Sequence, residues 1–177
     1  DADGNHSVTY SPTKEYYVDS WSRVDSPPQS VLKRASDQGV VMDLEKAEAT
    51  DLLATGWRMP EVFTSKARDG VTDIWGIIIR PTNFDPSKKY PLILEIHGGP
   101  HSMYNLAFNF ARQQQAADGY LVLFTNPRGS TGYDSTFGNA IKFAYPGKDF
   151  NDLMAGVDTM IGRGYADANN LFVYGCS

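Results

Sequence analysis

The sequence predicts an α/β fold, a doubly wound parallel sheet preceded by short β strands. Three observations carry that expectation. The runs "PLILEIHGGP" (91–100) and "YLVLFTN" (120–126) are apolar throughout, as strands buried on both faces are. Segments of helical period separate these runs from each other and from "LFVYG" (171–175), the order that makes parallel strands with crossover helices. The first third of the chain has another texture, with short β-branched and aromatic runs cut by turn residues.

Residues 1–58 read as one unit. "HSVTYSP", "EYYVDSWSRV", "QSVLKRA" and "GVVMDLE" are its strands. The turns are Ser11-Pro12-Thr13-Lys14, Asp25-Ser26-Pro27-Pro28 and Asp37-Gln38-Gly39. Four short strands in sequence make a meander or one blade of a β-propeller. "EKAEATDLLATGW" follows as a short helical or irregular connector.

The second unit, 59–177, opens with a hairpin: strand 61–67, turn Arg68-Asp69-Gly70, strand 72–80. Asp-Gly is a strong hairpin signal. "NLAFNFARQQQAADG" (105–119) reads as a helix with Leu106, Phe110 and Ala117 on one side and Gly119 as its stop. "DFNDLMAGVDTMIGRG" (149–164) is the clearest helix, with Phe150, Leu153, Met154, Val157, Met160 and Ile161 at i, i+3, i+4 spacing and Gly162 and Gly164 at its end.

Composition narrows the function. Hydrophobic residues are 41% and charged residues 21% of 177, so a core forms. The net charge of −5 argues against nucleic acid or an anionic membrane as partner. No apolar run approaches the roughly 20 residues that span a bilayer. Cys176 is the single cysteine, which excludes an intrachain disulfide. The compartment stays open between cytoplasm and a bacterial periplasmic or secreted location. Asn5-His6-Ser7 fits the glycosylation triplet, a pattern common by chance.

The chemistry concentrates at strand ends. Ser177 follows "LFVYGC", and a strand running into Gly-x-Ser is how a nucleophile elbow begins. The alternative is a serine in an ordinary loop. His97-Gly98-Gly99-Pro100 closes another buried strand. Its glycines let a backbone N–H face a substrate oxygen, as in the oxyanion hole of an α/β-hydrolase. The plainer reading is a tight turn, shaped in part by His97. Together the two motifs are far more specific, because both sit where sites form in parallel sheets. Arg128, just past a strand end, either binds a substrate carbonyl or carboxylate or locks its loop against Asp149 or Asp152.

His6, His97 and His101 all precede Ser177, whereas the general base of this fold follows its serine. His97 and His101 bracket Gly-Gly-Pro, which breaks the helix that a shared metal face would need, so no metal is expected. A thiol nucleophile at Cys176 would stand one place before the elbow position. No cofactor is implied.

"HGGPHSMYN", "GYLVLFTNPRGSTGY", "GKDFNDLMAGVD" and "GCS", in that order, resemble the prolyl oligopeptidase family of serine peptidases. Residues 90–177 look most like its acylaminoacyl-peptidase and dipeptidyl-peptidase 5 branch. "YSPTKEYYVDSWSRVDSPPQ" and "PEVFTSKARDGVTDIWGIIIRPTNFDPSKKYP" look more like its dipeptidyl-peptidase IV branch, which carries a Tyr at the position of His97. The resemblance implies the last blade of a propeller at 1–58 and the first half of an α/β-hydrolase sheet, incomplete here, at 59–177. It implies a Ser-Asp-His triad with Ser177 as nucleophile and its Asp and His beyond this chain. The oxyanion donors would be the N–H of Gly98 or Gly99 and that of the residue after Ser177.

The chain is therefore expected to be the middle of a longer serine peptidase acting on short peptides, and inactive by itself. An esterase or lipase on the same fold and a non-catalytic interaction module are the alternatives. Pairing with another copy through the open sheet edge is a further expectation.

Overall fold

The computed structural model describes residues 2–107 and 112–176. The chain divides into two compact units, Asp1–Met59 with Asn105–Phe110, and Pro60–Tyr104 with Ala111–Ser177.

The first unit is a four-stranded antiparallel meander, the geometry of one propeller blade. Its strands are β1 (Asn5–Tyr10), β2 (Tyr16–Arg23), β3 (Ser26–Arg34) and β4 (Val40–Lys46), in that spatial order. Two turns use the residues that the sequence offers. Lys14 and Gln38 adopt left-handed backbone, at φ 58° and 59°, and the Asp37 carboxylate accepts from Gly39 N at 3.0 Å. The middle turn differs from expectation. It is Val24-Asp25, and Pro27 and Pro28 lie within β3, where the register shifts between Trp21 and Arg23. Proline has no N–H for the ladder, so it sits where pairing is already irregular. The connector holds only α1 (Thr50–Ala54). The amide oxygen of Asn5, in the orientation that satisfies its neighbours, accepts from the N–H groups of Leu106 and Ala107, both at 3.0 Å.

One face of this sheet holds a charged cluster in which Asp19 and Lys33 are buried and His6 is exposed. Asp19 accepts from Lys33 Nζ at 2.8 Å and from His6 Nδ1 at 2.7 Å, and His6 Nε2 donates to the Ala2 carbonyl at 2.8 Å. Both partners of the imidazole are acceptors, so it keeps both bonds only as the cation. The Asp19 hydrogen bond, and then the Ala2 carbonyl, raise the His6 pKa. Burial pushes the Asp19 carboxyl up, but Lys33 and His6 outweigh it and hold the group below its ordinary value.

The second unit is a five-stranded mixed sheet of α/β-hydrolase type, in the order β5-β6-β8-β7-β9. β5 (Glu61–Lys66) and β6 (Asp73–Ile79) form the expected hairpin, with Gly70 at φ 76° in its turn. β6 pairs antiparallel with β8 (Leu121–Thr125). β7 (Tyr90–His97) lies between β8 and β9 (Ala166–Cys176) and is parallel to both. β9 is longer than the apolar run, because Tyr90 also pairs with Ala166. The extra residues bulge, and Asp167 holds the bulge by accepting from Asn169 N and Asn170 Nδ2.

Helices α2 (Gln113–Ala117), α3 (Ser135–Asn139) and α4 (Lys148–Gly162) complete the unit. Of the 105–119 helix expected, the described residues hold α2 alone, and Ala116 rather than Ala117 is its buried residue. Phe110, expected on its apolar side, lies outside the described residues. α4 ends in a Schellman motif: Gly164, at φ 77°, donates to Ile161 O and Tyr165 N to Met160 O. Leu153, Val157 and Met160 pack on Ile78, Leu92, Leu94, Leu121 and Leu123. Phe150 is more than half exposed, because the stripe that meets the sheet centres on residues 152, 153, 156, 157 and 160. No helix among the described residues is long and apolar enough to cross a membrane.

Gly76 sets the spacing of β6. A Cβ there would stand 2.7 Å from Phe63 Cε1 and 2.8 Å from Thr125 Cγ2. Gly76→Ala is therefore expected to cost about 1–3 kcal/mol through overpacking, read from urea denaturation. His6 gives a pH-dependent outcome. Its raised pKa contributes stability that is full below the unfolded value of about 6.5 and is lost as pH rises through the folded value. His6→Gln should thus lower the unfolding free energy more at about pH 5 than at about pH 9. Equal losses at both would contradict the imidazolium bridge.

Candidate active site

Three parallel strands end side by side. In the β7–β9 register, Ile96 faces Gly175 and His97 faces Cys176. Gly175 fits that approach because a Cβ would stand 2.9 Å from the Ile96 carbonyl oxygen. β9 thus delivers the chain to the end of β7, beside the His97-Gly98-Gly99-Pro100 turn. Ser177 lies outside the described residues. Gly99 has φ 132°, a conformation for glycine, and a Cβ there would come within 3.0 Å of His101 N. The Gly99–Pro100 peptide is cis.

The loops after β7 and β8 are tied together. His97 Nε2 lies 3.0 Å from Ser130 Oγ and His97 Nδ1 lies 3.1 Å from the Gly98 carbonyl oxygen, while the Ser130 hydroxyl reaches Pro127 O at 2.7 Å. Thr131 N donates to Ser102 O at 2.9 Å. The Asn126 amide binds both backbone groups of Tyr104, accepting from its N at 2.8 Å and donating to its O at 2.9 Å. The Tyr104 ring meets the His97 ring edge-on and the Phe124 ring at a steep tilt. Arg112 lies over the Tyr104 and Phe124 rings and holds Glu95 with two nitrogens. Burial, and then Glu95, push the Tyr104 hydroxyl above its ordinary range.

Arg128 is fully engaged. Its Nε and one terminal nitrogen take the two oxygens of Asp152 at 2.8 and 2.6 Å, and the other terminal nitrogen takes Asp69 at 2.6 Å. Arg128 N also donates to Asp152, at 3.0 Å. Asp152 is one of the two acids considered for a loop lock; the other, Asp149, accepts from Gly147 N instead. The Asp152 hydrogen bonds raise the Arg128 pKa against its burial. Asp69 is held well below the carboxylate range, first by Thr72 N, then by the Thr72 hydroxyl and Val71 N, with Arg128 adding to it.

A cavity of about 190 Å³ opens beside these groups, lined by His97, Pro100, Arg128, Ser130, Tyr145 and Phe150 among others. Among the described residues no three His, Cys, Asp or Glu side chains gather as a metal site. Sequence reading missed Ser130, Asn126 and Asp69. Ser130 stands two residues after Arg128, the residue of that loop which the sequence singled out. Asp69 gave only a turn signal, and nothing local says that its carboxylate meets an arginine 59 residues on.

Asp152 is fully buried and Arg128 nearly so. Asp152→Asn leaves the guanidinium with less than half of its compensation, and a loss of about 3 kcal/mol in urea denaturation is expected. A change under about 0.5 kcal/mol would show that Asp69 alone suffices.

Comparison with known proteins agrees with this geometry. Residues 106–177 match the prolyl oligopeptidase family. The chain is 34% identical, over 97% of its length, to the uncharacterized peptidase YuxL of Bacillus subtilis, and covers 26% of that protein. It is 33% identical, over 71% of its length, to dipeptidyl-peptidase 5 of Aspergillus fumigatus, covering 18% of it. A crystal structure from Bacteroides ovatus, provisionally assigned as a dipeptidyl aminopeptidase IV, superposes with a TM-score of 0.83 at 31% identity, over 98% of this chain and 25% of that one. The chain thus spans about a quarter or less of the length of these relatives. The chain is thus similar to members of the prolyl oligopeptidase family over a part of their length.

Proposed function

We propose that the whole protein is a serine peptidase that cleaves short peptides through an acyl-enzyme on Ser177. The register that sets His97 against Cys176 carries the reading, because it brings the Gly98-Gly99 turn to the end of the strand that leads into Ser177. The names of the relatives, all peptidases, support it.

In this mechanism the Ser177 hydroxyl attacks the scissile carbonyl. A histidine takes its proton and returns it to the leaving amine, and an acid orients that histidine. In the chain order of this fold the base follows the serine, whereas His6, His97 and His101 all precede Ser177. His97 spends Nε2 on Ser130, and His6 spends both nitrogens on Asp19 and Ala2. The developing oxyanion takes N–H donors from the Gly98-Gly99 turn and from the residue after Ser177. Arg128 acts as a structural clamp that fixes the loop beside the turn, since its nitrogens already face two carboxylates. Residues 1–58 are the propeller blade and connector of the whole protein, and 59–177 the first part of its catalytic domain. Without its base, the 177-residue chain has a poor nucleophile and is inactive as a peptidase.

The test is a fluorophosphonate probe on the whole protein, read by intact mass. One adduct, lost in Ser177→Ala, is expected, together with a fall in peptide hydrolysis of about 10⁴-fold or more. An adduct that persists in Ser177→Ala would end this reading.

A further inference from the structure

We infer that Ser130 is a positioning residue for the proposed oxyanion turn, acting through His97; the inference rests on the function proposed above. Ser130 is 1% exposed and offers its hydroxyl to no open surface. Its Oγ lies 2.7 Å from Pro127 O and 3.0 Å from His97 Nε2, and the other ring nitrogen of His97 lies 3.1 Å from the Gly98 carbonyl oxygen, so the ring joins Ser130 to the turn itself. Pro127 O also receives Ser130 N at 3.0 Å, so the hydroxyl is fixed to a turn closed on itself.

The consequence follows from where His97 stands. It is the last residue of β7, and the next peptide belongs to Gly98. Gly98 and Gly99 carry no side chain to hold their N–H groups in direction, and glycine is the most conformationally free residue. An oxyanion donor must be aimed before the reaction to be worth its full effect. The bond from His97 to Ser130 supplies that aim at one end. The bond from Thr131 N to Ser102 O supplies it at the other. The turn is thus spanned by two ties to one loop, whose own position is fixed by the Arg128 clamp. Ser130 touches no reacting atom in this scheme. It decides how much the donors wander.

Two measurements test this. In the whole protein, Ser130→Ala should speed amide hydrogen exchange at Gly98 and Gly99 about tenfold, with the amides of β7 and β8 unchanged. In the whole protein the same variant should lower kcat about tenfold or more, with KM within about twofold. His97→Phe combined with Ser130→Ala should cost no more than the worse single variant, because each removes the bond between them and His97→Phe removes the contact with Gly98 O besides. Unchanged exchange at the two glycines would overturn the inference. So would faster exchange with an unchanged kcat, or additive losses in the double variant. A wild-type protein that takes no probe at Ser177 would refute the function proposed above, while the exchange result would still report on the brace itself.

Discussion

The second unit depends on one buried cation. Arg128 enters the interior just past β8 and meets Asp152 on α4 and Asp69 in the β5–β6 turn. Taking a guanidinium out of water is costly, and two carboxylates with well-aligned hydrogen bonds offset that cost. The geometry leaves little freedom. A planar fork that reads both oxygens of Asp152 fixes the helix against the loop, and the third nitrogen fixes the hairpin turn against both. The loop that carries Arg128 also carries Asn126 and Ser130, so the same cation sets the ground on which the β7 turn is braced.

The placement of these groups explains why the site is built from backbone and small side chains. The donors of the proposed oxyanion hole are peptide N–H groups, and only glycine lets the chain turn at Gly99 as it does. Precision must then come from neighbours. The aromatic stack of Arg112 over Tyr104 and Phe124 and the amide of Asn126 give the far end of the 97–104 loop a fixed support. Chemistry that needs mobile groups in bulk water would gain little from such bracing, whereas acyl transfer gains much.

Much of this was legible in the sequence. Strand β8 was plain because both its faces are covered and its residues are apolar without alternation, whereas β7 is buried only at Leu92 and Leu94 and the Leu171–Tyr174 run of β9 is exposed. The residues of α4 declared themselves by period, and the Asp-Gly hairpin by its turn chemistry. The failures share a cause. The Val24-Asp25 turn was misplaced because two prolines signal a turn more strongly than they signal a bulge. The burial of Ala116 rather than Ala117 and the exposure of Phe150 depend on which stripe of a helix meets the sheet, which tertiary packing decides. Ser130 and Asp69 act through partners distant in the chain, at separations of 33 and 59 residues, and no local pattern encodes such a partner.

Thr125 ends β8 with its methyl between two backbones. A Cβ on Gly76 would stand 2.8 Å from that methyl, and a Cβ on Gly156 would stand 3.1 Å from it. One methyl group therefore keeps both β6 and α4 at their distance. The three positions share a single small volume, and none can grow unless another shrinks. Over evolutionary drift they should change together: a larger residue at 156 calls for a serine or alanine at 125, and one at 76 calls for that and for a smaller residue at 63.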